Sequence, residues 1–190
     1  MIKLNLGCGT KSLPGFINVD IDPKVSPDVV DDVTVLQNFE DKSVDLIYAC
    51  HLLEHFPAKD THCILMKWGS KLKSGGTLRL AVPDLKAIMQ LYIYYENVSI
   101  IHNMLMGSQK NEWQFHKAVF DEKSLYDQLL NAGFDDIEHW SWQLINPHKY
   151  CDDYSQAYYP DYCKQISLSN GKWIDLGGKL ISLNLQAKKI

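Results

Sequence analysis

Short apolar runs that alternate with turns fill the first 82 residues, and this alternation is the feature that most constrains the fold. Between the last two runs, Ile64, Leu65, Trp68 and Leu72 recur at helical spacing, which predicts a connecting helix. Because strands joined by a helical crossover pair in parallel, we expect an α/β sheet. The predicted strands are Ile2–Leu6, Phe16–Asp20, Val29–Val30, Val44–Ala49 and Thr77–Val82.

Beyond Pro83 the sequence predicts further helices. Residues 85–106 are apolar and are predicted to be mostly helical. Another helix is predicted to begin at Asp121, a good N-cap, and to end at Gly133, a good C-terminal cap. Strands are then predicted at Ile137–Trp142 and Leu180–Ala187.

The segment between these two strands is a long insertion. It is rich in Tyr, Asp and Asn, and an insertion of this length is typical of a lid or a binding loop. A chain of 190 residues suits one domain, 1–190, rather than two. Within it we expect substrate-side segments at about 85–116 and 143–178.

Composition narrows the class of protein. The net charge of −4 and the single arginine, Arg79, argue against a nucleic-acid partner. The five cysteines include no C-x-x-C pair, so reduced thiols are expected rather than a disulfide framework or a zinc site. The chain shows no signal-peptide pattern and no apolar stretch that would span a membrane, which together predict a cytoplasmic protein.

The turn Gly7-Cys8-Gly9 directly follows the first predicted strand. Glycines at the carboxyl end of a parallel strand allow a tight turn and let a ligand approach the backbone. Asp20, at the end of the next strand, can accept hydrogen bonds from both ribose hydroxyls of an adenosine. Asp22 lies on the same side of an extended chain and is the alternative.

Four runs, in order, resemble one enzyme superfamily. LNLGCGTKSLPGFINVDIDP (4–23), DKSVDLIYACHLLEHF (41–56), LKSGGTLRLAVPDL (72–85) and HKAVFDEKSLYDQLLNAGF (116–134) look like the class I S-adenosylmethionine-dependent methyltransferases. Within them, the chain resembles the branch called methyltransferase type 11. The resemblance implies a Rossmann-like, mostly parallel seven-stranded sheet with an antiparallel last strand, and S-adenosyl-L-methionine as the cofactor.

The resemblance also implies positions for a cofactor site. The glycines would line the methionine part of the cofactor, Asp20 would hold the ribose, and Asp32 with Val33 would lie by the adenine. Residues after the fourth strand would border the methyl group and the substrate. The full set is Leu6, Gly7, Cys8, Gly9, Asp20, Ile21, Asp32, Val33, Ala49, Cys50 and His51.

The chain departs from the family between its first two strands. Only Thr10–Gly15 separates them, which is too short for the usual helix. The first half is therefore predicted to have reduced helices. One face of the sheet should be thinly covered there, leaving room for a partner or for the lid.

Three residues are candidate general bases, in the order His116, Asp84, His51. His116 precedes a family-like segment and has a suitable side chain, although a surface or structural role is a common alternative. Asp84 follows the fifth strand, where ligands bind, but it could equally be a helix N-cap.

The run His51-Leu52-Leu53-Glu54-His55 fits H-x-x-E-H, an inverted zinc-peptidase signature. On a helix, the two histidines could share a metal, with Glu54 as a base. The sequence identifies no third ligand, so no metal is predicted. The alternative is that Glu54 and His55 form a structural pair.

The insertion bears aromatic side chains among carboxylates, which suit a ring-bearing polar substrate such as a sugar or a glycan precursor. An ordered loop with buried tyrosines is the alternative. These residues are His148, Tyr150, Asp152, Asp153, Tyr154, Tyr158, Tyr159, Tyr162 and Trp173.

The sequence therefore predicts methyl transfer from S-adenosylmethionine to an oxygen or nitrogen atom of a small polar molecule. Two alternatives stay open. One is a cofactor-binding domain of the same fold without catalysis. The other is an NAD-dependent oxidoreductase, which the absence of a third glycine at a helix start makes weaker. The oligomeric state is not predicted.

Overall fold

The fold is built on one seven-stranded sheet of order β3-β2-β1-β4-β5-β11-β6. The computed structural model describes residues 1–142, 153–159 and 178–190, together with the backbone of 166–167 and 173–174. The sheet strands are β1 (Lys3–Leu6), β2 (Ile17–Asp20), β3 (Val29–Val30), β4 (Val44–Cys50), β5 (Leu72–Pro83), β6 (Phe134–His139) and β11 (Ser182–Lys189).

Strands β1 to β5 pair in parallel, and β11 runs antiparallel to both of its neighbours, β5 and β6. This confirms the predicted mostly parallel sheet with an antiparallel last strand. Two small strand pairs lie outside the sheet. They are β7 (Tyr158–Tyr159) with β10 (Lys179–Leu180), and β8 (Ile166–Ser167) with β9 (Trp173–Ile174).

In the described part of the chain, four α-helices come after β4: α1 (Thr61–Lys71) before β5, and α2 (Leu85–Tyr95), α3 (Val98–Met106) and α4 (Glu122–Asn131) after β5. Helix α4 begins at the predicted Asp121, whose side chain accepts the Ser124 N–H in a capping box. Gly133 follows it with a φ of +80°, as expected of a C-terminal cap. Among the described residues, no helix is long and apolar enough to cross a membrane.

The reduced first half is confirmed. Residues 7–16 form turns without an α-helix, and only a short 3-10 turn, Pro23–Val25, lies between β2 and β3. One sheet face packs against α1 and α4 through a large apolar core that includes Leu4, Ile47 and Trp68.

The opposite face is covered by other means. Leu13 from the turn region, and Trp142, Tyr158 and Leu180 from the second half, pack with Tyr48 of β4 on this face. Tyr158, in the described part of the insertion, therefore lies in the space that the missing helix leaves.

Several predicted boundaries were wrong. The last strand, predicted at Leu180–Ala187, is β11 at Ser182–Lys189, and Leu180 belongs to β10. Leu72 is not the last residue of a helical stripe, because α1 ends at Lys71 and Leu72 pairs with Val44 as the start of β5. Strand β6 begins at Phe134 rather than Ile137 and ends at His139. It is an edge strand with one buried side chain, so its charged residues hide the apolar pattern.

Candidate functional site

The glycine turn lies at the carboxyl end of β1. Gly7 and Gly9 have φ values of +61° and +49°, which L side chains rarely adopt. A Cβ on Gly7 would lie 2.5 Å from Leu52 Cδ1, so Gly7 lets the segment after β4 pack closely against the turn. A Cβ on Gly9 would meet nothing within 4 Å, so open space faces the turn there.

The Asp20 carboxylate closes this turn from the neighbouring strand. Its Oδ2 accepts the Gly9 N–H at 2.8 Å, and its Oδ1 accepts the Asp22 N–H at 3.0 Å. The Asp22 carboxylate instead accepts the Lys24 N–H and caps the turn Pro23–Val25. The geometry therefore favours Asp20 over Asp22 as the group beside a ligand at the glycine turn, with the half-exposed Ile21 next to it.

A buried amide pair, which the sequence analysis missed, replaces the absent helix. Asn18 Oδ1 accepts the Asn5 Nδ2–H at 2.9 Å and the Leu13 N–H at 2.7 Å. Asn5 Nδ2 also donates to the Lys11 carbonyl at 3.0 Å. These bonds fix residues 7–16 over the second sheet face. The available signal was a polar residue in the middle of each buried strand.

The loop after β3 borders the same edge of the sheet. Asp32 is exposed, and its Oδ1 accepts the N–H and O–H of Thr34 at 2.8 and 2.7 Å. Val33 is buried, and its carbonyl accepts the Trp68 Nε1–H at 2.8 Å. Asp31, which the analysis did not single out, is buried, and its Oδ1 has no partner among the described residues.

The segment after β4 turns sharply at His51. This residue has a φ of +49°, and its N–H donates to the Ala81 carbonyl at 2.8 Å. Ser182 O–H donates to Asn184 Oδ1 at 2.8 Å, so Ser182 Oγ accepts from His51 Nε2–H at 3.1 Å. His51 Nδ1 then carries the lone pair and faces Glu54 Oε1 at 3.3 Å.

The structure brings His116 to this segment, which no local pattern could show. The His55 and His116 rings lie edge to face with centroids 4.9 Å apart. Ligand atoms of Glu54, His55 and His116 all lie within 4.8 Å of one another. Backbone N–H groups of Lys117 and Ala118 donate to the Glu54 carbonyl at 2.7 and 3.1 Å and hold the two segments together.

Burial determines the charge states of Glu54 and of the three histidines near it. It lowers the pKa of His51 to about 3, with the nearby His116 and His55 as further causes, and it raises the pKa of Glu54 to about 8. Burial also lowers the pKa values of His55 and His116. All three histidines are therefore neutral at pH 7.

Asp84 lies apart from the histidines, at the end of β5. Its Oδ1 accepts the Lys86 N–H at 3.0 Å, so it is the N-cap of α2. It also lines a cleft of about 510 Å³ at the carboxyl edge of the sheet. Other lining residues of this cleft are Trp140, Trp142, Tyr158, Ser182 and Asn184.

Part of the insertion reaches the end of β4. Tyr48 O–H donates to Asp153 Oδ2 at 2.6 Å, and the Tyr154 ring lies 5.4 Å from the His51 ring. Tyr158 is buried, and Tyr159 contacts Tyr95 of α2. His148, Tyr150, Asp152, Tyr162 and the Trp173 side chain lie outside the described residues.

The thiol of Cys8, within the glycine turn, is expected to be unreactive. Burial and the Asp20 carboxylate raise its pKa to about 11, so about one molecule in a thousand is a thiolate at pH 8. Treatment with iodoacetamide at pH 8 should therefore modify the exposed Cys63 and spare Cys8, as read by peptide mass spectrometry. Rapid labelling of Cys8 in the folded protein would contradict the buried position of this turn.

Comparison with known families finds a match in the first half of the chain. Residues 4–80, which contain the glycine turn, Asp20 and the segment after β4, match the family model of the methyltransferase domain. No match was found among the curated proteins.

Solved structures show the same fold over the whole chain. A SAM-dependent methyltransferase of Thermotoga maritima matches with a TM-score of 0.58 at 14% identity, covering 100% of this chain and 82% of that one. One from Archaeoglobus fulgidus matches with 0.56 at 19% identity, covering 98% and 85%. The magnesium protoporphyrin IX methyltransferase of Synechocystis, solved with bound SAH, matches with 0.56 at 13% identity, covering 100% and 74%.

Proposed function

We propose that this chain is a class I S-adenosylmethionine-dependent methyltransferase that transfers a methyl group to an oxygen or nitrogen atom of a small polar acceptor. The match of residues 4–80 to the methyltransferase domain and the likeness of the fold support this proposal. The observation that carries this proposal is the joint geometry of Gly7, Gly9 and Asp20 at the carboxyl ends of β1 and β2.

The residues at this edge fit the cofactor. Open space faces Gly9, and a ligand can approach the backbone there because no side chain is in the way. The Asp20 carboxylate uses one lone pair of each oxygen on a backbone N–H, which leaves capacity for ribose hydroxyls. The half-exposed Ile21 offers an apolar surface to the adenine, and Asp32 and Val33 lie in the loop that follows β3.

The acceptor is proposed to bind in the cleft beside Asp84. The cleft opens at the same edge of the sheet as the glycine turn, where open α/β sheets bind ligands. Trp140, Trp142 and Tyr158 supply aromatic faces, while Ser182 and Asn184 supply polar groups. This combination supports a ring-bearing polar acceptor such as a sugar.

S-adenosylmethionine would supply a methyl group that is activated by a positively charged sulfur. The acceptor would form its bond to this methyl group with its own lone pair, while the electrons of the carbon–sulfur bond stay on the sulfur. The protein's main task is to align the acceptor with that methyl group, which can lower the barrier by about 7–11 kcal/mol. A hydroxyl acceptor must also lose a proton. Of the predicted bases, Asp84 lines the cleft and is the proposed route for that proton, whereas His116 and His51 are not among the residues that line it.

Calorimetric titration with S-adenosylmethionine, S-adenosylhomocysteine and NAD tests the proposal. We expect the first two to bind and NAD not to bind, because no helix starts at the glycine turn to receive a pyrophosphate. Binding of NAD alone would overturn the proposal. Release of S-adenosylhomocysteine with a panel of sugars and amines then separates an enzyme from a non-catalytic binding domain.

Asp20→Ala should weaken binding of S-adenosylhomocysteine at least tenfold, about 1.4 kcal/mol, because the ribose and the Gly9 N–H both lose their acceptor. The matched control is Asp22→Ala, which removes a carboxylate two residues away that caps only a surface turn. The same calorimetric titration measures both. Equal losses in the two variants, or none with Asp20→Ala, would show that Asp20 does not hold the ribose.

A further inference from the structure

We propose that Glu54, His55 and His116 form a binding site for a divalent transition metal ion, with zinc as the first candidate. Their ligand atoms lie within 4.8 Å of one another although His116 is far away in the sequence. The sequence analysis predicted no metal because a third ligand could not be identified, and the fold supplies one.

The Glu54 carboxylate is the strongest sign of a ligand. Glu54 is 0% exposed, and neither carboxylate oxygen has a hydrogen-bond partner among the described residues. A buried carboxyl group without a hydrogen-bond partner is unfavourable even when it is protonated, since its oxygens lose their hydrogen bonds to water. A metal ion would displace the proton and pair with the carboxylate, which removes that penalty.

Backbone carbonyls set which nitrogen of each imidazole carries the proton. His55 Nδ1 lies 3.1 Å from the Phe115 carbonyl, and His116 Nδ1 lies 3.1 Å from the Met104 carbonyl. A carbonyl can only accept, so each Nδ1 carries the proton and each Nε2 keeps a lone pair. Metal-bound histidines commonly use the second nitrogen in this way, donating it to a backbone carbonyl.

The backbone holds the ligands in place before any ion arrives. His116 N–H donates to the Met106 carbonyl at 3.1 Å, and the Glu54 carbonyl accepts from two backbone N–H groups of residues 117 and 118. His51 Nδ1 lies 3.3 Å from Glu54 Oε1, outside the group of three ligand atoms. His51 is therefore not proposed as a ligand.

The donor set selects the kind of ion. Two imidazoles and one carboxylate with an open position form a set that suits zinc and neighbouring first-row ions, and zinc enzymes use the same combination. Zinc bonds of about 2.0–2.1 Å place tetrahedral ligands about 3.4 Å apart. The three groups must therefore close by about an ångström, which rotation of the half-buried imidazoles allows.

The open position gives the ion a role in the proposed methyl transfer, and this part alone rests on that function. Leu52 contacts the glycine turn and Glu54 follows it by two residues, so the ion lies close to the proposed cofactor site. An acceptor hydroxyl bound at the open position would lose its proton more easily, because a divalent ion lowers the pKa of a bound oxygen. His116 then acts as a ligand and not as a base, and the ion assists in activating the acceptor.

Metal binding can be measured without any acceptor. Protein dialysed against a chelator and then freed of it would be titrated with Zn²⁺ by calorimetry, and with Co²⁺ by visible absorption. We expect one ion per chain, micromolar or tighter affinity for Zn²⁺, and Co²⁺ bands of low-coordinate N/O ligation. No stoichiometric binding of either ion would overturn the proposal.

Variants locate the ion. His116→Ala and Glu54→Gln should each weaken Zn²⁺ binding at least tenfold, whereas the control His102→Ala removes an exposed histidine of α3 and should leave it unchanged. Wild-type affinity in His116→Ala would overturn the site. Tight Zn²⁺ binding in a protein that does not bind S-adenosylmethionine would support the metal site and reject only the proposed function.

Discussion

Replacing Trp68 with alanine is expected to lower the free energy of unfolding by about 3–5 kcal/mol. The Trp68 side chain is 0% exposed and lies in the core between α1 and the sheet. Its Nε1–H also donates to the Val33 carbonyl at 2.8 Å, so it connects the core to the proposed adenine-side loop. Chemical denaturation followed by circular dichroism measures the loss.

Trp68→Phe separates packing from the hydrogen bond. Phenylalanine keeps most of the buried volume and leaves the Val33 carbonyl without its donor, so the loss should be smaller, about 1–3 kcal/mol. We expect this variant to weaken S-adenosylhomocysteine binding as the loop of Asp32 and Val33 loosens. Met66→Ala, at a half-exposed position of the same helix, is the control and should change neither quantity. Unchanged cofactor affinity in Trp68→Phe would show that the loop holds its position by itself.

Asn18→Ala is the second large expected effect, and it acts on the glycine turn. The variant leaves the Asn5 amide and the Leu13 N–H without their acceptor in a buried environment. Each unsatisfied donor costs about 1–3 kcal/mol, so the loss of the acceptor for both should lower the free energy of unfolding by about 2–6 kcal/mol. Binding of S-adenosylhomocysteine should fall at least tenfold, because residues 7–16 have no helix to hold them.

The matched control for Asn18→Ala is Asp28→Ala. Asp28 is exposed and accepts the N–H and the Nδ2–H of Asn18, both at 2.8 Å, so water can take its place. We expect a much smaller loss of stability and normal cofactor binding. If Asn18→Ala loses stability but binds the cofactor normally, the amide pair is structural only and the turn is ordered by the Asp20 carboxylate.

The sequence predicted those features of the fold that depend on residues close to one another along the chain. The strands β1 to β4, the missing helix after Gly9 and the capped helix at Asp121 follow from local periodicity, glycine and capping chemistry, and the structure confirms them. The boundaries of β6 were wrong because an edge strand buries one side chain and shows almost no alternation.

Only the part of the candidate site that lies at the ends of adjacent predicted strands could be predicted from the sequence. Gly7, Gly9 and Asp20 end adjacent parallel strands, so their proximity follows from the predicted topology. The position of His116 beside His55, and the bond between Asn5 and Asn18, depend on tertiary register, which spacing in the sequence does not encode. The same holds for Tyr48 and Asp153, whose contact spans 105 residues.

The cover of the second sheet face also affects how the chain can fold. Tyr48 lies in the first third of the sequence, yet it becomes buried against Trp140 and the Asp153–Tyr159 segment, which a ribosome makes much later. Contacts this distant in sequence slow folding, because a long loop must close before they form. During synthesis the nascent sheet would therefore carry an apolar face open to chaperones or to other chains. The proposed cofactor edge is specified early in the chain, but the sheet face beside it is covered only when the last strands have been made.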